Sequence, residues 1–165
     1  MILGFAHPAL VVDDLERARR FYEQAFGFRV SSEEGWSSAP AIDAAIGSAG
    51  SSCRGYMLAG HNCFLELFEF SRPDPVGPAP VELPPHARGI RHLCFFVDDV
   101  EAEHARVLAL GAQPLGTPQK NAGITAVYLR DPEGNIIELA EFPAEDEDLR
   151  RLPGISALQT EVGHV

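Results

Sequence analysis

His7 to Glu16 read HPALVVDDLE, and His92 to Glu101 read HLCFFVDDVE. Each phrase is a histidine, an apolar run suited to extended chain, then Asp-Asp, an aliphatic residue and a glutamate. Apolar residues followed at once by helix-capping aspartates predict a strand that turns into a helix. A phrase written twice makes a duplicated unit the first hypothesis about the fold.

A second echo supports duplication. FLELFEF (64–70) resembles IIELAEF (136–142), which aligns Glu66 with Glu138 and Glu69 with Glu141. The interval between the two landmarks is longer in the first copy. Residues 1–71 and 88–143 are therefore read as two modules, joined by a proline-rich linker over 72–87 and followed by an acidic tail over 144–165. In the first module Leu15, Ala18, Tyr22, Ala25 and Phe26 recur at helical spacing, and in the second Val100, His104, Val107 and Leu108 do so. Glycine stops each helix, at AFGF and at LGAQP. Three strands are expected after each helix: near FRVSSE, CRGYMLA and CFLELFEF, then near QPLGTPQ, TAVYLR and NIIELAEF. DPEGN (131–135) is a turn by its chemistry. The class is α+β, with a βαβββ unit used twice. The stretch 31–52 interrupts the first module and is read as a loop with a short helix near PAIDAAIG, either a lid or a plain surface insertion.

Composition excludes several functions. Net charge is −11, which disfavours nucleic acid and anionic membrane alike. Neither a basic-then-apolar leader nor an apolar run of spanning length is found, and three widely spaced cysteines make neither a disulfide framework nor a zinc knuckle. The expectation is a cytoplasmic protein with reduced, mostly buried cysteines. Much of the acidity falls in AEDEDLRR, a solvated run with a possible short helix around DEDLRRL.

Alternation along the strands selects the chemistry. His7, Ala9 and Val11 share one face, and His92, Cys94 and Phe96 share its counterpart. Pro8, Leu10 and Val12, and likewise Leu93, Phe95 and Val97, face the helix. Leu65 and Leu67 flank Glu66, and Ile137 and Leu139 flank Glu138, so both glutamates project onto the histidine-bearing face. Two imidazoles and two carboxylates at equivalent places suit one divalent cation with two positions left for water or substrate oxygen. The bland alternative is a salt-bridged His–Glu cluster. Glu69 and Glu141 fall on the helix side and are read as solvated edge residues. His61, His86, His104 and His164 have no match in the other module and are read as surface residues.

HPALVVDDLERARRFYEQAFGF and YLRDPEGNIIEL resemble the opening and closing segments of the vicinal oxygen chelate superfamily, which includes glyoxalase I, methylmalonyl-CoA epimerase, extradiol dioxygenases and fosfomycin-resistance proteins. The likeness covers about residues 4–142. It implies two modules that form a cupped, barrel-like mixed β-sheet with helices outside, within one chain or across a homodimer. It also implies metal ligands at His7, Glu66, His92 and Glu138, the same four that alternation selects. A His/Glu/His/Glu set resembles glyoxalase I, and methylmalonyl-CoA epimerase differs by a glutamine at the second ligand; in both the metal stabilises an enediolate or enolate after a base removes a proton, and mixed nitrogen and oxygen ligands here admit Ni, Co, Zn, Mn or Fe. Glu66 and Glu138 are the two candidate bases. The positions where glyoxalase I commonly grips glutathione hold Val11 and Phe70 here, so the implied substrate is a different small molecule. Val11, Phe68, Phe70, Phe96 and Trp36 are the expected apolar pocket. Two other readings carry distinct signatures. An Fe(II) ring-cleaving dioxygenase would consume oxygen with a catechol, and a metal-free binding or resistance protein would hold its ligand after metal depletion.

Overall fold

The structure is a computed structural model that describes residue 2 and residues 4–143. The tail over 144–165, with the helix expected around DEDLRRL and His164, lies outside the described residues. The chain divides into two compact units between Gly77 and Pro78.

In the first unit, strand β1 (Ala9–Val11) leads into helix α1 (Leu15–Phe26). Strands β2 (Arg29–Ser37), β3 (Ser52–Ala59) and β4 (Phe64–Arg72) follow, with a short helix α2 (Pro40–Ile46) between β2 and β3. The sheet order is β1-β4-β3-β2, with β1 parallel to β4 and the other pairs antiparallel. The second unit repeats this. Strand β5 (His92–Phe96), helix α3 (Val100–Ala109), strands β6 (Gln113–Pro114), β7 (Gln119–Asn121), β8 (Ile124–Arg130) and β9 (Ile136–Glu141) build a sheet ordered β5-β9-β8-β6, with β7 also on β8. The expected βαβββ unit is thus present twice. Among the described residues neither sheet closes into a barrel, so the barrel-like description gives way to two separate mixed sheets.

The doubled phrase explains each strand-to-helix passage. Asp14 accepts the Arg17 amide at 2.9 Å and Asp99 accepts the Ala102 amide at 2.9 Å, so the second aspartate of each pair is the N-cap. Glu69 and Glu141 are not solvated edge residues. Each reaches from the last strand to the first amide of its helix, Leu15 N at 3.0 Å and Val100 N at 3.1 Å. Two carboxylates per helix start satisfy donors that have no partner inside the helix and sit favourably in its dipole. Gly27 ends α1 in the left-handed region at φ 68°, where a side chain is disfavoured.

Alternation decides the core. Leu65 and Leu67 of β4 are buried against α1 with Leu15, Ala18, Phe21, Tyr22 and Ala25, and Glu66 between them is not. Ile137 and Leu139 of β9 pack likewise with Val100 and Val107 around Glu138. Full burial of each such aliphatic side chain stabilises by about 1.5–3 kcal/mol, so the helix face of each sheet is strongly specified.

Three expectations change. Residues 31–37 are strand and not insertion; only 38–51 interrupts the sheet, and α2 lies where PAIDAAIG predicts it. The strand expected at QPLGTPQ is broken into β6 and β7, because Pro114 and Pro118 cannot donate to a ladder. Cys53 is buried, but Cys63 and Cys94 are exposed; all three are free. His61 and His86 are at the surface, whereas His104 is half-buried with its Nε2 buried and without a hydrogen-bond partner among the described residues.

Candidate functional site

The parallel pairing of first and last strands sets each His–Glu pair. Ala9 stands opposite Glu66 on β4, and Cys94 stands opposite Glu138 on β9. In both modules the histidine lies two residues earlier, on the same face, and leans onto the carboxylate. His7 Nε2 is 3.2 Å from Glu66 Oε2, and His92 Nε2 is 3.1 Å from Glu138 Oε2. Both imidazoles keep substantial contact with solvent, at 33% and 40% exposure, while the glutamates are more enclosed at 16% and 18%.

These separations fit metal ligation. Neighbouring ligands with bonds of about 2.1 Å at right angles sit about 3 Å apart. The donor set, imidazole nitrogen with carboxylate oxygen, suits a first-row divalent ion. Each module supplies one His–Glu pair, and among the described residues no cluster of three or more His, Cys, Asp or Glu is formed.

The neighbours of the two glutamates differ. Across β8, Tyr128 is paired with Glu138 and its hydroxyl donates to Glu138 Oε2 at 3.0 Å. The Tyr128 ring meets the His92 ring edge to face, with centroids 5.2 Å apart. Burial, then this hydrogen bond and the charge of Glu138, push the Tyr128 phenol up to about 12. Cys94 stands opposite Glu138, and partial desolvation of its sulfur, followed by the glutamate's charge, pushes the thiol up to about 12. Both groups are therefore protonated at neutral pH. In the first module the corresponding neighbours of Glu66 are Met57 and Ala9, which have no O–H, N–H or S–H to offer from their side chains. Tyr128 and Cys94 escaped the sequence reading as functional residues. Counting back through the β8–β9 hairpin from DPEGN would have put Tyr128 beside Glu138.

The expected pocket residues separate into two groups. Val11 stands opposite Phe68 in the first sheet and is 46% exposed. Trp36 meets Phe68 and Phe70 edge to face at 5.4 and 5.8 Å, and Phe68 meets Phe70 at 5.9 Å. Lateral pairing through Cys53 and Gly55 puts all of these on the face that carries His7 and Glu66. Gly55 is required there, since a Cβ would lie 2.7 Å from the Phe68 ring and 2.7 Å from the Leu67 carbonyl. Phe96 belongs to the second module, where it packs on Phe142 at 5.0 Å. A concavity of about 420 Å³ elsewhere in the first module, bordered by Glu33, Glu34, Arg54 and Tyr56, includes neither His7 nor Glu66. Concavity alone is a weaker pointer than paired ligands, and the chemistry is assigned to the latter.

Duplicated βαβββ units with this register define a glyoxalase-type fold. The family model for the Glyoxalase/Bleomycin resistance protein/Dioxygenase superfamily matches residues 4–139, and the chain belongs to that superfamily. Among solved structures, a glyoxalase family protein from Bacillus cereus is similar with a TM-score of 0.77 and 23% identity, over 86% of this chain and 95% of that one. The fosfomycin resistance protein FosX from Mesorhizobium loti has a TM-score of 0.55 and 23% identity, over 84% of this chain and 91% of that one. FosX from Listeria monocytogenes, solved as a mutant with Mn(II) and a dihydroxypropylphosphonic acid, has a TM-score of 0.55 and 20% identity, over 88% of this chain and 97% of that one. At these identities the likeness is one of fold. No curated protein matches the chain by sequence comparison. No helix among the described residues is long and apolar enough to cross a membrane.

Proposed function

We propose that this protein is a metal-dependent lyase, isomerase or epimerase of the glyoxalase I type, acting on a small molecule with a vicinal oxygen pair and an apolar body. The observation that carries the reading is the repetition of a His–Glu pair at the same strand register in both modules, with Nε2–Oε2 separations of 3.2 and 3.1 Å. His7, Glu66, His92 and Glu138 would hold one divalent ion, Ni, Co, Zn, Mn or Fe, with the two modules drawn from one chain or from two copies in a homodimer. When bound, such an ion is a Lewis acid that stabilises negative charge developing on substrate oxygen.

The chain's own residues divide the remaining work. The Tyr128 hydroxyl fixes the carboxylate of Glu138, which suits a ligand that stays in place. Among the described residues His7 is the side chain bound to the Glu66 carboxylate and no hydroxyl holds it as Tyr128 holds Glu138, so it is the readier of the two to turn toward a substrate carbon. Glu66 is therefore assigned as the base that takes the proton beside the oxygen pair, and Glu138 as the anchor. The wall of Trp36, Phe68, Phe70 and Val11 takes the apolar body and excludes water from the carbon that ionises. The acidic chain with three free cysteines fits the cytoplasm as its place of work.

The test is metal analysis of the purified protein beside His92→Ala and Glu138→Ala. One divalent ion for each pair of modules is expected, with occupancy sharply reduced in both variants. Equal metal content in all three proteins would remove the site and leave each His–Glu pair as a salt bridge.

A further inference from the structure

Residues 38–51 interrupt the first sheet, and helix α2 within them buries none of its side chains. Asp43 is the only polar side chain of α2. It accepts the amides of Gly50 at 2.8 Å and Ser51 at 3.0 Å, and it also accepts the Ser51 hydroxyl. Ser51 is fully buried and in turn accepts the indole N–H of Trp36, in β2, at 2.6 Å. An indole nitrogen can only donate and a carboxylate can only accept, so the hydroxyl takes from Trp36 and gives to Asp43. Removing Asp43 takes away the hydroxyl's acceptor and loosens its grip on the ring. On β3, Cys53 is paired with Trp36 on one side and Phe70 on the other, so these side chains share the face that carries His7 and Glu66. Trp36 meets Phe68 and Phe70 edge to face, and Cys53 beside it is 7% exposed. The three rings fill one another's space, so this end of the face is closed.

We infer that residues 38–51 are a latched lid: Asp43 and Ser51 hold Trp36 down on Phe68 and Phe70, and release of α2 lets the ring swing away, opening the apolar end of the His7–Glu66 face. Three features suit release. A segment with few buried apolar contacts opens locally at low cost, long before the whole domain unfolds. Ser38 enters the segment in the left-handed region at φ 53°, a conformation that a serine keeps only while its surroundings hold it. Gly50 leaves it at φ 70°, where a Cβ would meet nothing within 4 Å, so the exit is unobstructed once its amide parts from Asp43. The second module has only Ala122 and Gly123 between β7 and β8, and no counterpart of α2 among the described residues. The lid therefore belongs to the first module alone, and no part of it involves a metal.

Cys53 reports the opening. The full chain, with no metal added, is treated with N-ethylmaleimide, and labelling of each cysteine is followed by peptide mass spectrometry, with the exposed Cys63 as internal reference. In wild type Cys53 is expected to label at least about tenfold more slowly than Cys63. Its rate should stay flat in urea well below the unfolding midpoint, since a local opening exposes little surface. Asp43→Ala and Ser51→Ala should each raise the Cys53 rate by about tenfold, the weight of one buried hydrogen bond in an opening equilibrium, and leave Cys63 unchanged. Asp43→Asn keeps a carbonyl acceptor for Ser51 and should raise it by less. Should an alanine variant fail to fold, Asp43→Asn and the urea dependence of wild type still decide. A Cys53 rate that climbs with urea as steeply as global unfolding does would overturn the inference and leave 38–51 a plain surface insertion. The same rate in wild type, Asp43→Ala and Ser51→Ala would do so too. Labelling of Cys53 as fast as Cys63 would also overturn it, because the face would then stand open.

Discussion

The two modules share a topology, a strand register and a His–Glu pair, and differ in what surrounds the glutamate. In the second, Glu138 is tied by the Tyr128 hydroxyl and has the Cys94 thiol beside it. In the first, Met57 and Ala9 occupy those places, and the polar neighbours are replaced by an aromatic wall. Duplication supplies two equivalent His–Glu pairs; later substitution on the exposed face costs little in stability because the core lies on the other face. One half can therefore specialise in holding and the other in reacting. The sharpest way to break this comparison is to remove one glutamate at a time. Hydrogen-bond partners of metal ligands already contribute 10–100-fold to affinity, so Glu138→Ala should weaken Mn(II) binding by about 100-fold or more. Glu66→Gln, which keeps an oxygen for the metal and loses the base, should weaken it by no more than about tenfold. Calorimetric titration of metal into the apoprotein measures both. Equal losses in the two variants would make the halves equivalent.

The modules also differ at the hairpin before the last strand. Arg130 in the second is buried and gives its guanidinium to the carbonyls of Pro80, Leu83 and Gly134 at 3.0, 3.0 and 2.7 Å. Asp131 beside it accepts the amides of Glu133 and Asn135 and the side chain of Asn135. At the matching places in the first module stand Ala59 and Gly60, and Gly60 makes room for the Phe28 ring, which a Cβ would meet at 2.6 Å. The first hairpin is closed by packing and the second by a buried cation on backbone carbonyls. Arg130→Met should cost about 2–4 kcal/mol, since several charge-assisted hydrogen bonds go and their carbonyls lose partners. A urea midpoint unchanged from wild type would show that residues 80–83 are held by something else.

Much of this was legible in the sequence, and the limits have a physical cause. Period-two alternation around Glu66 and Glu138 identified the face, because burying Leu65, Leu67, Ile137 and Leu139 leaves a strand no other way to turn. The doubled aspartates marked both helix starts for the same reason, as local rules that need no partner far away. Tyr128, Cys94, Ser51 and Arg130 were missed because their meaning depends on which strand or segment lies beside them. Tyr128 became visible only through its register with Glu138, and Arg130 only through the chain at Pro80. Glu69 and Glu141 were assigned to the correct face but given no partner, since their helix amides are distant in sequence.

Tyr128 offers a finer test of the difference between the halves. Tyr128→Phe keeps the ring against His92 and removes only the hydroxyl, so metal affinity should fall by about 10-fold, the low end for a ligand's hydrogen-bond partner. Met57→Leu, at the corresponding place beside Glu66, should leave affinity unchanged. If the two substitutions weaken binding equally, the hydroxyl does not anchor Glu138 and the assignment of Glu66 as the base loses its support.

The smallest effect expected is a pH dependence confined to the first module. The Ser51 hydroxyl, followed by the backbone amides of Gly50 and Ser51, holds the Asp43 carboxyl below its ordinary value. The folded chain thus favours the ionised form, and the unfolded chain, near 3.9 for a free aspartate, favours it less strongly. The stabilisation is fully present above the unfolded value and is lost as pH falls through the lower folded one. Protonation removes the charge that strengthens the Ser51 hydrogen bond and sets a hydroxyl against one of the donors the carboxylate accepts from, so the hold on Ser51 and on the Trp36 ring weakens. Quenching of Trp36 by acrylamide should be flat from neutrality to about pH 5 and rise only under stronger acid. Asp43→Asn, which cannot titrate, should stay flat over the same range until the chain unfolds as a whole by circular dichroism. A profile that rises identically in wild type and Asp43→Asn would place the acid-sensitive contact outside the Asp43–Ser51–Trp36 chain, and the aromatic wall would then be held by ring packing alone.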